Sequence, residues 1–373
     1  MTHPSISLFK VFVADSTSAA LEPVLHSGHL ANGARVQSFE VALANWLGAP
    51  RVVALSDASA GIVMALTLAG VRPGDEVITS PIACAATLMP IANLFAKPVW
   101  CDIDPLTGIM APEKIEALIS EKTRAILLYH WSGDVADIAA IVAIAKRYGI
   151  QVIEDANAAL GAQYQNRRLG GIADFTVYSF YATKHITAGG EGAALLAANP
   201  DDLDKAHLLR RFGIDTTAFR LPNNNLNPCF DIPVAGFNFP MNEIAATIAI
   251  EGLKHGDRIT ARHRDNGFFY ESNLTTIPGL RLLNRRADSI SAYWTYSLLA
   301  DRRDELIRKL TSYGIGAQRL HMRHDMYSCF GSTDREALAG VARFDAENIS
   351  LPCGWWVSNE DRAAVVECLR QGW

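Results

Sequence analysis

Short apolar runs rich in β-branched residues alternate with stretches of helical period between residues 51 and 196. This alternation is typical of βαβ units, in which crossover helices join parallel strands. The sequence therefore predicts an α/β fold with a mostly parallel, seven-stranded sheet covered by helices. The segments that predict its strands are RVVAL, DEVITS, KPVWCDI, TRAILLYH, IQVIED, DFTVYSF and GAALLA.

Two helices and one long loop can be read within and after this pattern. Residues 59–70 are apolar almost all round, which predicts a buried helix, and the turn signal VRPGDE follows it. Residues 137–148 carry apolar side chains at helical spacing, and Gly149 is expected to cap that helix at its C-terminus. Residues 221–233 contain several Asn and Pro residues and predict a loop longer than a tight connection.

The length of the chain, 373 residues, predicts two domains, since a single core stops growing at roughly 250 to 300 residues. Residues 242–275 look helical, and the remainder mixes short strands with helices. We place the domain change near residue 250, with the long helix as the bridge. Residues 1–250 are then a large domain and residues 251–373 a smaller C-terminal α/β domain.

Charge, hydropathy and cysteine spacing exclude several classes of protein. The formal net charge of −5 gives no general reason to bind nucleic acid. We find neither a signal-like N-terminus nor about 18 uninterrupted apolar residues, so we expect a cytoplasmic protein without a membrane partner. The six cysteines have no CxxC spacing, and the pairs His26/His29 and His321/His324 lack companion ligands, so no metal is expected.

Residues 55–61, LSDASAG, form a small-residue turn between a predicted strand and the buried helix. The backbone N–H groups and hydroxyls of such a turn can hold a phosphate at the helix N-terminus. Taken alone, the segment is equally consistent with a tight turn in which Ser or Asp caps the helix.

A carboxylate pair, Glu154 and Asp155, stands at the end of a predicted apolar strand in VIEDANAALGA. Ligands of parallel sheets bind beyond the carboxyl ends of the strands, so Asp155 is placed to pair with a cationic ring nitrogen. The alternative, equally consistent with the segment alone, is that the pair caps the next helix.

Lys184 lies in SFYATKHITAGGEG, between an apolar strand and a glycine-rich turn. A lysine there is by default a solvated surface charge. Together with Asp155 and the turn at 55–61, however, it completes what pyridoxal phosphate requires. These requirements are an amine for a Schiff base, a carboxylate for the pyridinium nitrogen and a site for the phosphate.

Four segments, SDASA, EDANAALGA, SFYATKHITAGGEGAAL and GFNFPMNEIAA, resemble in order and spacing the sugar aminotransferases of the DegT/DnrJ/EryC1/StrS family. That family belongs to the fold type I, or aspartate aminotransferase, superfamily of pyridoxal phosphate enzymes. The resemblance covers most of the chain, from LFK near the start through HWSGDVADI to RHDMYSCF and LPCGWWVS. Several motifs in the right order make it specific, whereas any one of them is a weak signal.

The resemblance implies a role for five residues of the large domain. Lys184 carries pyridoxal phosphate as a Schiff base and then acts as general acid and base. Asp155 contacts the pyridine nitrogen and keeps the ring cationic. Ser179 binds the phosphate through its side chain, and Ala58 and Ser59 bind it through their amides.

The resemblance also implies a homodimer with shared active sites, because Asn238 of GFNF matches an asparagine that reaches the phosphate across a dimer interface. Three positions depart from the family pattern. Ala158 stands where Gln or His contacts the phenolic oxygen of the cofactor, with Asn157 beside it as a possible substitute. Cys84 stands where an aromatic ring stacks on the cofactor, and Pro240 replaces the usual arginine.

The implied reaction transfers an amino group from L-glutamate to a keto-sugar, which we take to be a nucleotide-linked 4-keto-6-deoxy hexose. The cationic segment QRLHMRHDMYSCF can meet the diphosphate or a carboxylate. Its candidate substrate-binding residues are Arg319, His321, Arg323 and His324, each of which can equally be part of a polar loop. Alternatives are amination of a free sugar acid such as an octulosonate, a pyridoxal phosphate sugar dehydratase, and a non-catalytic regulatory protein.

Overall fold

The computed structural model describes residues 5–331 and 336–373, and within these ranges it has fifteen strands and twelve α-helices. The strands are β1 (Val53–Leu55), β2 (Glu76–Thr79), β3 (Lys97–Trp100), β4 (Ile103–Asp104), β5 (Ile109–Met110), β6 (Thr123–Tyr129), β7 (Gln151–Asp155), β8 (Gln163–Tyr164), β9 (Arg167–Arg168), β10 (Phe175–Ser179), β11 (Ala193–Ala197), β12 (Leu280–Leu282), β13 (Ser289–Ile290), β14 (Tyr296–Ala300) and β15 (Asn348–Leu351). The helices are α1 (Thr17–Leu25), α2 (Ala34–Leu47), α3 (Ala58–Leu68), α4 (Ala85–Asn93), α5 (Pro112–Ile115), α6 (Ile138–Tyr148), α7 (Pro200–Leu209), α8 (Glu243–Leu253), α9 (Gly256–Leu274), α10 (Arg303–Ser312), α11 (Ala339–Glu347) and α12 (Asn359–Arg370).

The predicted α/β fold is confirmed by a seven-stranded sheet with the strand order β1-β11-β10-β7-β6-β2-β3. Strands β10, β7, β6, β2 and β3 pair in parallel, and β11 runs antiparallel to its neighbours β1 and β10. All seven segments predicted as strands contribute a strand to this sheet, although KPVWCDI is divided between β3 and the separate short strand β4. A second sheet, β12-β14-β15, is antiparallel and lies in the later part of the chain.

The strand register brings several functional side chains to one edge of the main sheet. Tyr129, the last residue of β6, pairs with Asp155, the last residue of β7. Asp155 in turn pairs with Val177 of β10, two residues before that strand ends at Ser179. Since parallel strands share the direction in which they end, all these termini open toward the same side of the sheet.

Helix α3 is buried along most of its length, as its almost wholly apolar sequence predicts. It begins where the Asp57 side chain accepts a hydrogen bond from the Ala60 N–H at 2.9 Å. It packs unusually close to the sheet, because a Cβ placed on Gly61 would lie 2.6 Å from Val177 Cγ1. The residue type at position 61 thus sets how near the start of the helix approaches β10.

The later helices agree with the sequence pattern in part. Helix α6 ends as predicted at Gly149, whose φ of 66° is the left-handed conformation of a C-terminal cap. The stretch 242–275 is two helices rather than one, with a break at residues 254–255. A side chain on Gly256 would meet the Trp46 indole at 3.1 Å, so the chain passes Trp46 closely where α9 begins.

The division into two domains near residue 250 stays a prediction. One hydrophobic core lies beneath the second sheet and consists mainly of residues from 270 onward. Ile6 packs in that same core and its N–H donates to Gly314 O at 2.9 Å. The first described residues therefore associate with the later part of the chain.

Within residues 5–331 and 336–373, no helix is long and apolar enough to cross a bilayer. Across the same part of the chain, no group of three or more His, Cys, Asp or Glu side chains is arranged to hold a metal ion.

Candidate active site

A cavity of about 440 Å³ opens at the carboxyl edge of the main sheet. Its volume lies within the range usual for small-molecule sites, about 300 to 1,000 Å³. Seven of the residues selected from the sequence line it, although they come from separate parts of the chain. These are Ala58, Ser59, Cys84, Asn157, Ser179, Lys184 and His321.

Lys184 follows β10 in a turn and lines this cavity. Burial lowers the pKa of its ammonium to about 8, because desolvation outweighs the opposing effects of Cys84 and Asp155. An amine with this pKa is neutral in a substantial fraction of molecules near pH 8. Lys184 is therefore suited to act as a nucleophile or base, unlike a solvated surface lysine.

Asp155 is completely buried at the end of β7. It accepts hydrogen bonds from the Thr87 hydroxyl and, at 2.9 Å, from the Asn157 N–H. Burial raises the pKa of its carboxyl, while these two donors and Lys184 act in the opposite direction. Lys184 and Asp155 thus influence each other electrostatically, yet in the described part of the chain they form no ion pair within 4.0 Å.

The start of α3 has the donors that an anion site requires, and it lines the same cavity as Lys184. Asp57 occupies the N-cap, and the first backbone hydrogen bond of the helix runs from the Gly61 N–H to Asp57 O at 3.1 Å. The amides of Ala58 and Ser59 precede that bond and have no intrahelical acceptor. A phosphate in the cavity would meet these N–H groups and the positive end of the helix dipole.

Ser179, on the same cavity, completes this anion site. Its hydroxyl oxygen accepts a hydrogen bond from the Tyr181 N–H at 3.1 Å, which leaves the hydroxyl proton free to be donated. The Ser59 hydroxyl donates to Ala86 O at 3.2 Å. The side chain at position 179 and the amides at 58 and 59 are therefore the groups that can hold a phosphate.

The donor set fits pyridoxal phosphate. One cavity combines an amine of lowered pKa and an anion site at a helix terminus, and a buried carboxylate lies close by. The side-chain Oδ1 of Asn157 is buried, belongs to a residue that lines the cavity, and has no hydrogen-bond partner. An unpaired polar atom of this kind is costly unless a ligand satisfies it.

Such a site at the edge of a mostly parallel α/β sheet defines a pyridoxal phosphate-dependent transferase of fold type I. A profile of the DegT/DnrJ/EryC1/StrS aminotransferase family matches residues 13–370. The chain belongs to this family, and it is a pyridoxal phosphate-dependent aminotransferase.

Individual relatives agree with this assignment. The spore coat polysaccharide biosynthesis protein SpsC of Bacillus subtilis is 32% identical over 93% of this chain and 91% of its own. Crystal structures of AtS13 from Actinomadura melliaura and of the sugar aminotransferase CalS13 from Micromonospora echinospora superpose with a TM-score of 0.93 each. They are 35% and 33% identical to this chain, over 99% of it and over 99% and 100% of their own lengths.

Three of the four cationic candidates do not line the cavity. Arg319 pairs with Asp345 at 3.2 Å and Arg323 with Asp325 at 2.5 Å. The ring of His324 is buried, and its backbone N–H donates to Pro81 O at 3.0 Å. None of the three lines this cavity, and their contact with substrate stays a prediction.

His321 does line the cavity, and its Nε2 lies 3.3 Å from the Tyr129 hydroxyl. Burial, helped by Lys184, lowers the pKa of its imidazole to about 3. His321 is therefore neutral at physiological pH and offers a hydrogen bond rather than a charge.

Asn238 lies outside this cavity on an exposed segment. Its backbone forms a bridge with Arg211, and its side chain is solvent-exposed. That position is compatible with the predicted reach toward a second subunit, which stays a prediction.

The family departures have a structural counterpart. Ala158 is fully buried and offers no polar side chain, whereas Asn157 beside it lines the cavity. Cys84 is the N-cap residue of α4, and its side chain faces the cavity without capping the helix. Pro240 pairs with Leu55 at the edge of the main sheet.

Sequence reasoning missed three aromatic residues of the site, Tyr129, Tyr181 and Trp294. Tyr129 is the last residue of a strand that the sequence predicts. Because ligands of parallel sheets bind beyond the carboxyl ends of the strands, its place in the site could have been predicted. Trp294 comes from a segment more than 100 residues after Lys184, and no local pattern connects the two.

Proposed function

We propose that this aminotransferase moves the amino group of L-glutamate to the keto group of a nucleotide-linked sugar, a 4-keto-6-deoxy hexose. The observation that carries the proposal is the placement of Lys184, with its lowered pKa, in one cavity with the anion site of α3 and close to Asp155. The names of two relatives, one in spore coat polysaccharide biosynthesis and one a sugar aminotransferase, support a sugar acceptor.

Pyridoxal phosphate, when bound, supplies a ring that accepts the electrons left on a substrate carbon after a proton is removed. Ala58, Ser59 and Ser179 would hold its phosphate, and Asp155 would keep a proton on its ring nitrogen. Lys184 Nζ takes the proton from the amino-bearing carbon of glutamate and, in the reverse direction, delivers a proton to the carbonyl carbon of the sugar.

The cavity is suited to the sugar rather than to the nucleotide. Within residues 5–331 and 336–373, no arginine lines it, and Arg319 and Arg323 are neutralised by Asp345 and Asp325. A diphosphate held there would lack cationic partners apart from Lys184. We therefore place the uncharged hexose inside the cavity and the nucleotide toward its mouth.

An isotope-transfer assay tests the proposed reaction. The protein loaded with pyridoxal phosphate is incubated with ¹⁵N-labelled L-glutamate and one acceptor at a time, either a nucleoside-diphosphate 4-keto-6-deoxy hexose or a free octulosonate. We expect one 2-oxoglutarate for each labelled amino-sugar, with mass spectrometry placing ¹⁵N in the nucleotide-linked product. Label found only in the octulosonate contradicts the proposed substrate. Loss of water from the sugar without 2-oxoglutarate would instead identify a dehydratase.

We also propose that two chains form a homodimer in the cytoplasm and share their active sites. The segment that leads to Asn238 exposes large apolar side chains, which is typical of a surface covered in an assembly. These are Phe212, Leu221, Leu226, Ile232 and Val234. All six cysteines are unpaired, as expected in a reducing compartment.

Mixed dimers test the sharing of sites. Lys184→Ala removes the amine of its own site, and Asn238→Asp places a negative charge near the phosphate of the partner's site. Hybrids of the two variants contain one intact site of two, so random mixing should restore about a quarter of wild-type activity. Activity is measured at limiting cofactor, with each variant alone as the control. No recovery in verified hybrids means that each chain builds its site alone.

A further inference from the structure

Three consecutive residues around the site lysine contact one segment, residues 292–294. The Trp294 indole N–H donates to Thr183 O at 2.8 Å. The Lys184 ammonium lies over the indole ring, 3.6 Å from the ring centroid. The His185 imidazole Nε2 lies 3.0 Å from Ala292 O. Residues 292–294, distant in sequence, therefore contact residues 183–185 through both backbone and side-chain atoms.

The indole of Trp294 is itself fixed in orientation. Its backbone N–H donates to Ser132 O at 3.0 Å, and the Phe9 ring stacks on it at 4.9 Å between centroids. The side chain is buried, with 5% of its surface exposed. The face that meets Lys184 is consequently preorganised and carries the negative potential that attracts a cation.

A carboxylate in place of the indole would hold the ammonium more strongly, but it would also keep it protonated. In the described part of the chain, Lys184 has no carboxylate within 4.0 Å. The aromatic face attracts the ammonium weakly and leaves the amine able to lose its proton. This combination suits a lysine that must alternate between two protonation states.

We propose that Trp294 is the resting place of the free Lys184 amine whenever that amine is not bonded to the cofactor. Trp294 then limits the positions open to Nζ and keeps it beside the carbon whose proton it moves. The inference rests on the proposed role of Lys184, since a lysine outside the chemistry would not need such a contact.

The titration of Lys184 reports on this contact. Other titratable groups near it belong to several elements and remain unchanged in the variants below. These are Asp57, Cys84, Tyr129, Asp155, Tyr181, His185, Glu191 and His321. Because the indole face stabilises the ammonium, its removal should make the amine lose its proton at lower pH.

Labelling of the cofactor-free protein measures that titration. The rate at which acetic anhydride acetylates Lys184 is followed against pH by peptide mass spectrometry. The wild-type midpoint is expected near 8. Trp294→Leu should lower this midpoint by roughly half to one pH unit. Trp294→Phe keeps an aromatic face, so its midpoint should lie between those of the wild type and Trp294→Leu. Trp355→Leu is the matched control, because Trp355 lies near Lys10 rather than Lys184. An unchanged or higher midpoint in Trp294→Leu overturns the inference.

A single half-reaction separates this role from simple packing. With L-glutamate and cofactor-loaded protein, Trp294→Leu should slow conversion about tenfold, with apparent glutamate affinity changed less than about twofold. A loss confined to glutamate affinity overturns the inference as well. Borohydride reduction of the cofactor-loaded wild-type protein distinguishes a failure of the proposed function from a failure of this inference. If borohydride fixes the cofactor to another residue, the proposed function fails. If it fixes the cofactor to Lys184 but the Trp294 variants keep the wild-type titration and rate, only the inference about Trp294 fails.

Discussion

Replacing Lys184 with alanine is expected to lower the rate of amino transfer by about 10⁴-fold or more, because in the proposed mechanism one amine serves as both nucleophile and proton carrier. Its place in the cavity and its pKa of about 8 are the basis for this expectation. Activity is measured as 2-oxoglutarate release from glutamate with a keto-sugar present. In the wild type, borohydride should fix the cofactor to the peptide that contains residue 184.

Lys205→Ala is the control for this variant. Lys205 is a largely exposed lysine that pairs with Asp202, so its removal should leave the rate unchanged. Lys184→Arg keeps the positive charge without the nucleophile and should be as inactive as alanine. Substantial turnover in either Lys184 variant, or label on another peptide, contradicts the assignment.

Replacing Asp155 with alanine should leave part of the cofactor bound but remove nearly all turnover, a loss of at least about 100-fold in kcat. In the proposed site, the anion site at α3 and Lys184 would still hold the cofactor, whereas the proton on its ring nitrogen would lose its partner. Asp155→Asn preserves the shape and the hydrogen bond from the Asn157 N–H but not the charge. It should therefore be nearly as slow as alanine.

Thr87→Val is the matched comparison for the Asp155 variants. It removes a hydrogen bond to the carboxylate but leaves its charge, so we expect a smaller loss than in Asp155→Asn. Cofactor content, measured by release and absorbance, separates binding from turnover. Near-normal kcat in Asp155→Asn would refute the role of the carboxylate at the ring nitrogen.

The fold was predictable because its signals are local. Each strand of the main sheet is a short apolar run, and the all-apolar pattern of α3 predicts burial directly. The break between α8 and α9 was not predictable in the same way. It occurs where the chain passes close to Trp46, which is a tertiary contact. The only local sign of that contact in the sequence is the glycine at position 256.

The site was predictable where chemistry and strand ends coincide. Lys184, Asp155 and the turn at 55–61 each follow a predicted strand, so their convergence follows from the parallel sheet. Arg319 and Arg323 were selected for charge alone, and the structure pairs Arg319 with the distant Asp345 and Arg323 with Asp325, two residues further along the chain. Trp294 was missed because its contact with the amine exists only in three dimensions.

The tight approach of α3 to β10 has a geometric consequence for the whole site. Val177, which touches the helix where Gly61 lacks a side chain, is also the strand neighbour of Asp155. Val177 thus links the start of α3, whose amides are proposed to hold the phosphate, to the strand that ends at Asp155. A bulkier residue at position 61 or 177 would push the start of α3 away from β10 and so lengthen the distance between these amides and the Asp155 carboxylate, without touching either group.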